Sequence, residues 1–159
     1  MKIIVDGDSQ PSKKEIIETG IKNGIEVVIV LSVSHFSEKP ELKEAQLVIV
    51  DNRKQEADIK IMNLAKTGDI AITGDTGLGL FLASKGLYVI NSKGRILNEK
   101  DLDIKFQELH IEKKIRRGKT GKFLRIKGPH IYRKEDKDRL IRSIEKIIFN
   151  NKNKDGEQI

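Results

Sequence analysis

Four alternations of a short apolar run with an amphipathic stretch occupy about the first ninety residues of this 159-residue chain. Ile3 to Val5, Glu26 to Leu31, Ala45 to Val50, Ile70 to Thr73 and Leu87 to Ile90 are short and rich in Ile and Val, as buried strands are. Between them the spacing predicts helices over Ser12 to Asn23, Gln55 to Thr67 and Leu78 to Lys85. Ile16, Ile17 and Ile21 make the stripe of the first helix, and Ala57, Ile61, Leu64 and Ala65 that of the second. Gly24 and Gly86 are stop signals. Only Ser32 to Leu42, polar and carrying Pro40, interrupts the alternation, and it is expected to run over the surface. Strands separated by helices call for a mostly parallel sheet with right-handed crossovers, flanked by helices on both faces: an α/β fold of three layers.

In such a sheet the carboxyl ends of all strands share one edge, where ligands of open α/β folds bind. Asp6 and Asp8 leave the first strand at that edge, Asp51 the third and Asp75 the fourth, while Asp58 opens the helix after the third. Crowded carboxylates repel and raise one another's pKa unless a cation intervenes, and hard cations such as Mg²⁺ take oxygen ligands. Each acid also has a structural role open to it. Asp8 or Ser9 caps the first helix, with Pro11 near its start; Asp75 caps the helix near Gly77; Asp58 serves the helix dipole. Asp51, beside Asn52, reads better as a turn residue, and Asp69 falls on the opposite edge in a Gly-Asp turn with a structural role.

After Ile90 the pattern changes. Lys93-Gly94-Arg95 makes a turn, and a helix is expected from about Glu99 to Ile115. The stretch from Lys113 to Lys127 then carries eight Lys and Arg, among them Arg116, Arg117 and Lys119, with Gly118 and Gly121 and no acid. It reads as a loop or hairpin, either solvated or holding a polyanion. A last helix is predicted over about Lys134 to Phe149, with Leu140, Ile141, Ile144, Ile147 and Ile148 at helical spacing. This gives one domain over residues 1–149 and a polar, frayed tail over residues 150–159.

Composition narrows the function classes. The chain has no cysteine, which excludes a disulfide scaffold, a thiolate nucleophile and a Cys-type zinc site, and His35, His110 and His130 lack ligand spacing. No apolar run approaches the ~20 residues of a membrane span, and no signal-peptide pattern opens the sequence, so a cytoplasmic location is the default expectation. A net charge of +7 favours polyanionic partners, nucleic acid above all. The oligomeric state is open between monomer and homodimer.

The stretch Val5-Asp6-Gly7-Asp8-Ser9-Gln10-Pro11-Ser12-Lys13 resembles the Val-Asp-Ala-Asp-Ala-Cys-Pro-x-Lys opening of the YaiI/YqxD family (UPF0178, DUF188). Ala57-Asp58 matches that family's Ala-Asp pair, and Gly68 to Asp75 looks like its Gly-Asp-hydrophobic-Thr-Ala-Asp segment. Lys85-Gly86, Gly94, Arg116 and Gly128-Pro129 fall where the family has like residues. The family is similar to PIN-like domains, parallel α/β sheets whose acidic cluster binds divalent metal for RNA cleavage. The resemblance implies Asp6, Asp8, Asp58 and Asp75 as catalytic metal ligands for Mg²⁺ or Mn²⁺. RNA would be held by Arg116, Arg117 and Lys119, with Lys13 facing the same cleft. The sequence departs from the family at Gln10 (Cys there), Gln55 (an acid there), Thr76-Gly77 (Ile-Pro there) and Lys127 (Gly there).

Two other classes compete. A haloacid-dehalogenase-like phosphatase would use Asp6 as nucleophile and Asp8 as general acid, with Ser32 and the Gly-Asp segments as its later motifs. The hydroxyl-then-apolar pattern and cap insertion it needs are missing. A non-catalytic nucleic-acid-binding or regulatory protein on a PIN-like scaffold would accord with Gln55 in place of the acid.

Overall fold

The computed structural model describes residues 1–53, 55–97 and 131–156, together with 100, 101, 103 and 107. Five strands, β1 (Ile3–Asp6), β2 (Val27–Ser32), β3 (Gln46–Val50), β4 (Ile70–Thr73) and β5 (Tyr88–Asn91), form one sheet in the order β3-β2-β1-β4-β5. Every pairing among them is parallel. The helices are α1 (Lys13–Asn23), α2 (Glu56–Leu64), α3 (Thr76–Ser84) and α4 (Lys134–Gly156). The expected α/β architecture is the one found.

Side chains alternate across a strand, so each strand feeds two cores. Ile3, Val5, Ile29 and Ile72 face α1 and α4, meeting Ile16, Ile17, Leu140 and Ile144. Ile4, Val30 and Ala71 face α2 and α3, meeting Ile61, Leu78 and Leu82. The central strand β1 is buried along its whole length, which is why it carries no polar residue before Asp6. The chain leaves β1 for α1 on one face and β4 for α3 on the other. These two strands are neighbours, so the topological switch point of the sheet lies between them.

Element ends differ from the sequence reading where a side chain intervenes. α2 stops at Leu64 rather than near Thr67, because the following turn is pinned by Asp69, whose carboxylate accepts from the Lys66 N–H and from both nitrogens of Lys2. α3 starts two residues early, at Thr76, because Asp75 caps it. α4 continues past Phe149 to Gly156; Asn151 there bonds the Ile147 carbonyl and accepts from the Tyr88 hydroxyl. The expected helix from Glu99 to Ile115 and the basic stretch after it lie outside the described residues, apart from isolated helical positions at Lys100, Asp101, Asp103 and Gln107.

Asp69 sits at the amino edge, as its turn implied, and is structural. Burial works to raise its pKa, but the hydrogen bonds from Lys2 and Lys66 outweigh it and hold the carboxyl below the usual range. A depressed folded-state pKa adds stability that is fully present above the unfolded pKa and lost as pH falls through the folded one. Asp69→Asn is therefore expected to lower unfolding free energy by about 2 kcal/mol at pH 7, the worth of bonds to a charged group. Urea titrations should show the gap to wild type closing as pH falls below the ordinary aspartate range.

Candidate functional site

Asp6 ends β1 almost fully buried, 7% exposed, and is held on two sides. Its Oδ2 accepts from the Ser9 hydroxyl at 3.0 Å and from the Thr73 hydroxyl at 3.0 Å. Thr73, the last residue of β4, in turn accepts from the Asp75 N–H at 3.1 Å. One hydroxyl therefore fixes the carboxylate of β1 relative to the backbone that presents Asp75. Ser9 closes the same seam from the other side, accepting from the Gly74 N–H at 3.1 Å. This seam is the switch point.

Asp75 is both a cap and a cleft residue. Its Oδ1 accepts from the Leu78 N–H at 2.7 Å, and Asp75 lines a cleft of about 540 Å³ together with Asp6, Asp8, Asp51 and Asp58. Asp58 enters from the first turn of α2 and has no hydrogen-bond partner among the described residues. Its pKa is raised, first by desolvation and then by the charges of Asp75 and Asp6. The second part of that shift ties Asp58 electrostatically to the other two acids of the cleft. The cleft wall beside Asp58 includes Gln55, the one described non-glycine residue with positive φ (69°).

Asp8 does not cap α1. Its Oδ1 accepts from the Ser32 N–H at 3.0 Å and lies 3.5 Å from His35 Nδ1, so the acid is tied to the end of β2. Ser9 does not cap α1 either; its hydroxyl is committed to Asp6. Ser12 occupies the cap position without a side-chain bond to the helix, and its N–H donates to Gln10 Oε1. Gln10, where the family resemblance has Cys, is buried and joins this loop to the Ser92 carbonyl. Gly7 lets the loop lie against the sheet: a Cβ there would come within 2.6 Å of Leu31 and 2.7 Å of Ile29.

Asp51 lines the cleft but keeps its turn role, accepting from the Asn52 N–H and pairing with Arg53 at 3.2 Å. Lys13 is not among the cleft-lining residues. Its ammonium donates to the carbonyls of Gly7 at 2.8 Å and Gln10 at 2.6 Å, stapling the loop that carries Asp6 and Asp8. Burial, then the charge of Lys39, lowers its pKa against the opposing pull of Asp8 and Asp6. Arg116, Arg117 and Lys119 lie outside the described residues.

The sequence reading gave no site role to three residues of the cleft neighbourhood, Thr73, Ser34 and His35, and placed Ser32 there only for the phosphatase alternative. His35 Nδ1 is 2.8 Å from the Ser32 hydroxyl and 3.3 Å from that of Ser34, with Asp8 behind. Thr73 stands two residues before an acid at a strand end, which was the signal available for it.

The donor set is all oxygen, as a hard cation prefers. As placed, however, no three His, Asp or Glu side chains among the described residues are gathered closely enough to hold a metal ion. The chemistry of the donors fits Mg²⁺ or Mn²⁺; binding would have to draw the carboxylates together.

The family model described as "Uncharacterized BCR, YaiI/YqxD family" (DUF188) matches residues 4–150. The chain belongs to this family. Its relatives include UPF0178 proteins of Bacillus cytotoxicus, 34% identical over 95% of both chains, and of Enterococcus faecalis, 34% identical over 93% of this chain and 97% of that one. A third, from Clostridium kluyveri, is 34% identical over 99% of both. Among solved structures, Rae1 (YacP) from Bacillus subtilis aligns with 74% of this chain and 83% of its own at 17% identity and a TM-score of 0.42. That likeness is too distant to bear on chemistry. Among the described residues no helix is long and apolar enough to cross a membrane. The match to the YaiI/YqxD family spans the switch-point loops, α2 and α4 as far as Asn150, so the acidic cleft lies within the matched region.

Proposed function

We propose that the cleft of this YaiI/YqxD protein binds a divalent cation, Mg²⁺ or Mn²⁺, and hydrolyses phosphodiester bonds, with RNA as the substrate class. The observation that carries this reading is the grouping of Asp6, Asp58 and Asp75 along one cleft at the switch point, where burial first and then the charges of Asp75 and Asp6 hold Asp58 above its ordinary pKa. Bound there, a divalent cation supplies water activation and charge neutralisation at phosphate. The remaining work belongs to the chain. Thr73 and Ser9 lock Asp6 Oδ2, leaving Oδ1 as the oxygen available to a cation. The α3 cap fixes Asp75 by one oxygen and leaves the other. Asp8, drawn towards Ser32 and His35, supports the cleft wall.

Calorimetric titration with Mn²⁺ tests the site. Wild type should bind, and either Asp6→Asn or Asp75→Asn should weaken binding at least tenfold. At a Mn²⁺ concentration of 100 Kd, wild type should gain about 2.7 kcal/mol of unfolding free energy. Equal binding by all three proteins would remove the assignment.

A further inference from the structure

We propose that the flank of α4 facing β5 is a second contact surface, which holds the sugar-phosphate backbone of single-stranded nucleic acid away from the acidic cleft. The inference builds on the proposed function by naming where its polyanionic substrate lies. Arg142, Lys146, Asn150 and Asn153 recur at spacings of four, four and three, so they share one helix face, and Lys154 adjoins it. From Lys146 to Lys154 the sequence contains three Lys, three Asn and no acid. Glu145, the acid just before this run, pairs across the other flank with Lys22 on α1 at 3.1 Å. Arg139, one turn nearer the helix start, is already engaged with Asp136 and the Lys93 carbonyl. Arg142, Lys146 and Lys154 make no ion pair among the described residues.

Lys146 and Lys154 border a groove of about 470 Å³ lined also by Tyr88, Ile96, Ile147, Asn150 and Asn153, and Arg142 lies one turn before it on the same helix face. A lining of ammonium and amide donors with aromatic and aliphatic side chains suits a strand with splayed bases better than a stacked duplex. The direction also fits. α4 begins at the carboxyl edge, where Tyr132 meets Ser12 at 2.8 Å, and ends at the amino edge, where Asn151 meets Tyr88. Its cationic flank thus leads away from the edge that carries the cleft. From Arg142 to Lys154 the axis runs about 18 Å, long enough to contact several phosphates of one strand.

The test is fluorescence anisotropy of a labelled oligouridylate 12-mer against the full-length chain in EDTA, over a range of salt. EDTA separates this surface from cation binding in the cleft. The triple variant Arg142→Gln, Lys146→Gln, Lys154→Gln should bind at least tenfold more weakly. Its slope of log K against log salt should be shallower by about 2, at ~0.7 per lost phosphate contact. A control triple at exposed lysines elsewhere, Lys14→Gln, Lys43→Gln and Lys60→Gln, removes the same charge and should leave the slope within one unit of wild type. Equal losses in both triples, or none in the α4 triple, would overturn the surface. A 12-base-pair duplex bound more tightly than the single strand would overturn the choice of ligand. Failure of Mn²⁺ to bind the cleft, with the α4 effect intact, would sink the proposed reaction and leave this surface standing.

Discussion

Replacing Asp58 by asparagine is expected to reduce the proposed Mn²⁺-dependent RNA cleavage by about 100-fold or more in kcat/KM, as losing several kcal/mol of transition-state charge stabilisation does. The same substitution should make the cation-free protein more stable. Asp58 is partly desolvated and faces Asp75 and Asp6, so its charged form is disfavoured in the folded state and its pKa is raised. For an acid shifted this way the folded protein holds its proton longer than the unfolded chain. The destabilisation is therefore complete above the folded-state pKa and fades as pH falls through it. Asparagine removes that repulsion, worth about 1 kcal/mol for charges near one another at high effective dielectric. Chemical denaturation in EDTA at pH 7 should show the gain, and at pH 3 the variant and wild type should converge. With saturating Mn²⁺ the order should reverse, because only wild type gains binding energy. A variant that is less stable than wild type in EDTA would show that Asp58 is a structural first-turn acid.

The second large effect lies far from the cleft. Gly94→Ala is expected to destabilise the protein by about 3 kcal/mol or more, combining left-handed backbone strain with overpacking. Gly94 has φ +83°, and a Cβ there would press on the Leu140 amide and come within 2.6 Å of the Arg139 carbonyl carbon and the Leu140 Cα. Those are backbone atoms of α4, so no side-chain rotation relieves the contact. Gly94 is the point at which the turn after β5 meets α4, and the Ser143 hydroxyl bonds its carbonyl at 2.6 Å. Ser143→Ala removes only that bond and should cost about 1 kcal/mol. Urea denaturation separates the two. Because α4 contributes Leu140, Ile144, Ile147 and Ile148 to one core, loosening its seat exposes that whole face of the sheet.

Several parts of the candidate site could be read in advance because parallel topology is a strong geometric constraint. Once the apolar runs at Ile3 to Val5 and Ile70 to Thr73 are strands of one parallel sheet, Asp6 and Asp75 must leave the same edge, whatever the loops do. Asp69, at the opposite end of its strand, was separable from them on the same ground. Roles that depend on where a flexible side chain turns were not accessible. Lys13 has the right position to face the cleft, yet its ammonium bends back onto the Gly7 and Gln10 carbonyls. Asp8 has the right spacing to cap α1, yet the β2 end offers it the Ser32 N–H instead. His35 had no partner at metal-ligand spacing in the sequence, and only the turn after β2 brings it to Asp8 and Ser32.

What the sequence by itself determined is therefore the alternation, the sheet edge on which the carboxylates emerge and the family to which the chain belongs. These follow from periodicity and residue type, which are local properties. The tertiary structure alone decided that Thr73 joins Asp6 to the Asp75 backbone, that α4 runs on to Gly156 beside Tyr88, and that its lysines line a groove. Each of those depends on contacts between residues more than sixty positions apart or on side-chain directions, and neither is encoded in any short stretch of the chain.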